Sequence, residues 1–154
     1  MCTVTYYKKR EEVIITSNRD EHIHRASAPL IHVEELEGYT CFYPLDPLAG
    51  GSWFGYRNDA AVLVLLNGAF QKHTRNMPYD RSRGLVLLEI LRQQDFQEAW
   101  EYCSLDGVEP FTLVSYQNGK LMERIWDGSK KHAQMLNENE PHIWSSVTLY
   151  DEAE

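Results

Sequence analysis

The sequence predicts an α+β fold with largely antiparallel sheets. Three observations predict it: β-rich runs gather at both ends of the 154-residue chain, two helical patterns lie between them, and the strands are joined by hairpin turns with no strand–helix–strand repeat. Whether the strands form one sheet or two stays open from the residues alone. At 43% hydrophobic residues the chain is long enough to bury one core, so a single domain over 1–154 is expected.

The first element is a hairpin. Thr3-Val4-Thr5-Tyr6-Tyr7 and Val13-Ile14-Ile15-Thr16 are β-rich and flank the charged turn Lys8-Lys9-Arg10-Glu11. Pairing them returns Asn18, Arg19 and Asp20 to the start of the first strand. That start is chemically unusual. A small residue after the initiator methionine permits methionine removal, which leaves Cys2 with a free α-amine. A thiol of pKa about 8.5 is little ionised at neutral pH, whereas an α-amine near 8 can take its proton. One residue then carries both nucleophile and base. A guanidinium from Arg19 would hold the thiolate, and a carboxylate from Asp20 would anchor the ammonium.

Residues 25–29 read as a loop, Leu30 to Val33 as a short extended piece, and Tyr39 to Tyr43 as a strand ended by Pro44. Asp46-Pro47-Leu48-Ala49-Gly50-Gly51 is a turn-rich loop leading into a strand over 52–56. Its glycine pair has two readings, a tight turn or a close approach to a ligand. Ala61 to Leu66 is apolar on both faces and should be a central, covered strand. Asn67-Gly68 ends it as a turn. Residues 71–84 are the one locally basic stretch, a solvated loop or a lid that meets an anionic group.

Leu85, Leu88 and Leu91, with Val86 and Ile90 beside them, give a helix over 82–92. Asp95-Phe96-Gln97-Glu98 opens a second helix through Tyr102, with Phe96, Ala99 and Trp100 inward. Cys103 reads as a buried apolar residue. Gln117-Asn118-Gly119 then joins strands over 111–116 and 120–126. A turn at Asp127-Gly128 and a weakly patterned piece lead to a last strand within 141–150.

Several features together resemble one family. They are the Met-Cys start, Ser-Asn-Arg-Asp-Glu at 17–21, Ala-Gly-Gly-Ser-Trp at 49–53, Leu-Asn-Gly at 66–68 and Trp-Ser-Ser-Val-Thr-Leu-Tyr-Asp at 144–151. The chain is identified by these as resembling the NRDE, or Tango2-like, family, whose members resemble N-terminal nucleophile hydrolases. The resemblance implies a four-layer αββα sandwich with Cys2 at the open end of two stacked sheets. Relatives continue into a further helical segment, so a C-terminally truncated sandwich is expected. By the same resemblance Asn67 is the oxyanion donor, and Asn18, Gly50, Gly51 and Ser145, with Ser146 beside it, lie on the substrate side. Related acylases place their aspartate three positions after the arginine. Here Asp20 and Glu21 follow it directly and point to opposite faces, so one of them joins the site.

Composition bounds the partners. Fifteen basic against 23 acidic residues, net −8, argue against nucleic acid as the main partner. The longest apolar run is far short of a membrane span and no hydrophobic signal segment opens the chain, which points to the cytoplasm. Three scattered cysteines fit reduced thiols. His22, His24 and His32 lack the tight spacing of a zinc site, so no metal and no cofactor is expected. The expected function is hydrolysis of a linear amide bond of a small molecule. The alternative is a non-catalytic haem or lipid carrier on the same scaffold, with His22, His24 or His73 as axial ligand.

Overall fold

A computed structural model of the chain describes residues 2–19, 30–72 and 79–147. Its strands form two antiparallel sheets. The small sheet has the order β10–β1–β2, from β1 (Cys2–Lys9), β2 (Glu12–Arg19) and β10 (His142–Ser145). The large one runs β3 (Ile31–Leu36), β4 (Tyr39–Pro44), β5 (Phe54–Arg57), β6 (Val62–Asn67), β7 (Phe111–Gln117), β8 (Lys120–Trp126) and β9 (Lys131–Leu136) in sequence order across seven strands. Two helices, α1 (Arg83–Leu91) and α2 (Phe96–Tyr102), separate β6 from β7.

Alternation along β6 explains the layering. Leu63 and Leu65 join the helices, with Leu87, Leu91, Phe96 and Trp100, in one cluster. Val64 and Leu66 join Cys2, Val4 and Tyr6 of the small sheet in another. Successive side chains on a strand point to opposite faces, so a strand apolar throughout is one covered on both sides. The described residues thus stack as small sheet, large sheet and helices. Among the described residues no helix is long and apolar enough to cross a membrane.

Turn chemistry follows the residues. Asn118 and Gly119 both adopt positive φ, 53° and 72°, which matches the right-handed twist of the β7–β8 hairpin. Ser82 caps α1 by accepting from the Leu85 amide, and Asp95 caps α2 by accepting from Gln97 and Glu98.

Two expectations need correction. Leu85, which the periodicity groups with Leu88 and Leu91, is 38% exposed in the first turn of α1, while Leu87 is buried. The weakly patterned piece after Gly128 is a strand, β9. It is an edge strand with a mostly exposed burial pattern, so it lacks the alternation that identifies half-buried strands. Its register is held by β8, from Leu121↔Leu136 to Trp126↔Lys131.

Candidate functional site at the start of the first strand

Cys2 opens β1 and is buried between the two sheets, at 6% exposure. The hairpin register places Arg19 directly opposite it, and residues opposite each other across a strand pair share a face. On β2 the inward positions are Val13, Ile15, Ser17 and Arg19, half-buried in alternation with exposed neighbours. The Arg19 guanidinium is 3.7 Å from Asp46 and stacks on the Trp53 ring at 4.1 Å. Both partners come from the turn-rich loop between β4 and β5. An ion pair and a cation–π contact together fix a long, otherwise mobile side chain on the inner face.

That loop is built to hold Asp46. The Asp46 carboxylate accepts from the amides of Leu48 and Ala49, and its backbone bonds to Gly50 and Gly51 close the turn. Gly50 has φ of 67°, the left-handed region that glycine tolerates. Gly51 lies against the start of α1, where an added Cβ would sit 2.4 Å from the Gly84 carbonyl carbon. What comes close at Gly51 is thus the backbone of α1. The loop reaches Arg19 through Asp46 and Trp53.

Ser146 ties three segments together. Its amide donates to the Cys2 carbonyl at 2.9 Å, and its hydroxyl donates to the Asn67 carbonyl at 2.8 Å. It is 1% exposed. Because Thr3 pairs with Ser145 and Val4 with Trp144, alternation puts Ser146 on the Cys2 face and Ser145 on the opposite one. Asn18 pairs with Thr3 and is exposed, so it shares the outer face with Ser145. Asn67 is beside the Cys2 backbone through Ser146. Its side chain, however, alternates with Leu66 and falls on the helix side with Leu63 and Leu65.

The arrangement thus gathers Cys2, Arg19, the Asn67 backbone and the 46–53 loop, and sets Asn18 and Ser145 apart from them. Asp20, Glu21, His22, His24 and His73 lie outside the described residues. His32 sits in β3 with its ring 5.0 Å from that of Tyr43. Among the described residues no group of three or more His, Cys, Asp or Glu is gathered for a metal ion. Asp46 and Trp53 are the contributors that sequence reasoning passed over, and it did not separate Ser146 from Ser145. A period-two count back from Trp144 and His142, both inward, would have separated Ser146 from Ser145.

The other two thiols, Cys41 and Cys103, lie in the helix-side core. Burial pushes Cys41 and Cys103 up from the ordinary thiol range, although Arg57 and Lys131 respectively work against it. Cys41 lies in the helix-side core and donates to the Leu91 carbonyl.

A search of curated proteins finds no match. A family comparison covers 1–152, which is the whole of the site just described, and on that match the chain belongs to the Transport and Golgi organisation 2 family.

Proposed function

We propose that this protein is an N-terminal cysteine amidohydrolase of the N-terminal nucleophile type, acting on a linear carbon–nitrogen bond of a small molecule. The observation that carries this reading is the register pair of Cys2 and Arg19 on the inner face. Removal of Met1 frees the Cys2 amine. The thiol proton passes to that amine as sulfur attacks the amide carbon. Collapse of the tetrahedral adduct breaks the C–N bond, and the same proton leaves with the amine product. Water then cleaves the thioester, releasing a carboxylic acid and restoring the thiol. Arg19 favours the thiolate, Asp20 positions the amine, and Asn67 serves as oxyanion donor by rotating its amide off the helix face of β6, at the end of the strand, toward Cys2. Gly50 and Gly51 shape the loop that carries Asp46 and Trp53 to Arg19.

The test is intact mass and peptide mapping after brief exposure to a thiol-directed electrophile at neutral pH. Loss of Met1 with selective, fast modification of Cys2 is expected. A retained Met1, or Cys2 reacting no faster than Cys41 and Cys103, overturns the reading. Once an acyl amide substrate is found, Asn67→Ala should lower kcat by about 10²–10³ with KM little changed, as loss of one oxyanion donor does. An unchanged kcat removes Asn67 from the mechanism.

A further inference from the structure

A cavity lies on the helix side of the large sheet, across that sheet from Cys2. It has a volume of about 200 Å³ and opens between the start of α2 and β7–β9. Arg124 of β8 forms part of its wall and is 2% exposed. Its Nη1 donates to Ser115 Oγ and its Nη2 to Gln97 Oε1 at 3.0 Å. Both acceptors are neutral, and Nε is buried with no acceptor among the described residues.

The contrast with Arg57 is informative. Arg57, 1% exposed, is closed by an ion pair to Asp59, by the Gln93 carbonyl at 2.6 Å and by the Tyr39 ring at 3.7 Å. That is a buried arginine with its charge matched. Arg124 has no carboxylate within ion-pair distance among the described residues. Asp95 and Glu101 act on it from further away, and Asp95 Oδ1 is committed to the amides of Gln97 and Glu98. Burial drops its pKa to about 10. A buried guanidinium normally meets a carboxylate, because desolvating the charge is costly without one.

The rest of the wall indicates what would supply it. Met122 and Met135 present flexible thioether surface, and Lys120 adds a second cation. We propose that the cavity binds a small organic carboxylate with a short apolar body. The carboxylate replaces Gln97 Oε1 at the guanidinium, where the planar fork suits two oxygens, and the apolar body lies on Met122 and Met135. This site is independent of the chemistry assigned to Cys2.

The test uses the full chain with hexanoate and its neutral isostere hexanamide, read by calorimetric titration and by Tm. Hexanoate should bind and raise Tm, and hexanamide should bind at least about tenfold more weakly. Arg124→Gln should abolish hexanoate binding. Met135 is 67% exposed, so Met135→Glu keeps the fold and places a repelling charge against the ligand. It should weaken hexanoate by about tenfold, even if Arg124→Gln proves too unstable to measure. Prior alkylation of Cys2 should leave the affinity unchanged, which separates this cavity from the Cys2 site. No hexanoate binding at millimolar concentration, equal binding of the amide, or full affinity in Met135→Glu overturns the proposal.

Discussion

Ser146 is the residue on which the geometry at Cys2 turns. Its hydroxyl satisfies the Asn67 carbonyl inside a closed region, and its amide holds the Cys2 carbonyl. Ser146→Ala removes the first bond and keeps the second. A buried acceptor left without a donor costs about 1–3 kcal/mol, so a lower denaturant midpoint at unchanged m-value is expected. The rate of Cys2 alkylation should change with it, since the strand end that carries the thiol loses its tie to β6. Arg19→Lys tests the neighbouring group. An ammonium keeps the charge but loses the planar stack on Trp53, so slower Cys2 labelling with little change in stability is expected. At this scale Cys2 and Arg19 were legible, because a tight turn fixes the register of one hairpin. The choice between Ser145 and Ser146 was not. It depends on a pairing between distant parts of the chain, and a one-residue slip there exchanges their faces.

At the scale of elements, the 46–53 loop and α1 are locked by two glycines. An added Cβ on Gly84 would meet Ser52 N at 2.8 Å, and one on Gly51 would meet the Gly84 backbone. Side chains cannot yield there, because the atoms in the way are main chain. Gly51→Ala should therefore destabilise by about 2 kcal/mol, or roughly 5 °C in Tm for a chain of this size. It should also slow Cys2 labelling, because the displaced loop is the one that presents Asp46 to Arg19. Retained stability would show that the loop relaxes freely. Most elements were legible here, β6 and the Asn-Gly hairpin most directly, because their patterns and turn residues agree. Strand β9 was hidden for the opposite reason. Its order comes from pairing with β8, and its exposed side chains carry no periodic signal.

For the whole molecule, stability should depend on three carboxylates. Arg57 hydrogen bonds hold Asp59 below its usual range, and His132 with the Ser129 and Lys130 amides does the same for Asp127. Burial pushes Glu34 up, but hydrogen bonds from Tyr43 at 2.7 Å and Arg92 at 3.0 Å outweigh it and the net direction is down. A group whose folded pKa is lowered contributes stability above its unfolded value and loses it as pH falls through the folded one. The ordinary values are 4.5 for Glu34 and 3.8 for Asp59 and Asp127. Stability should be level through neutral pH and fall from about pH 4 downward. Denaturant titrations at stepped pH check this, and Asp59→Asn should flatten part of the slope. The α+β class was legible from the distribution of strands and helices, but the division into two sheets was not. That division depends on which distant strands meet, and local patterns do not encode it.

The small sheet joins the two ends of the described chain: Val4 pairs with Trp144. During synthesis at about 5–20 residues per second, roughly 7–28 s separate the emergence of the first strand from that of its last partner. Through that interval the N-terminus has no finished sheet to enter. On the proposed mechanism this sets an order of events, with trimming of the initiator methionine first and enclosure of Cys2 last.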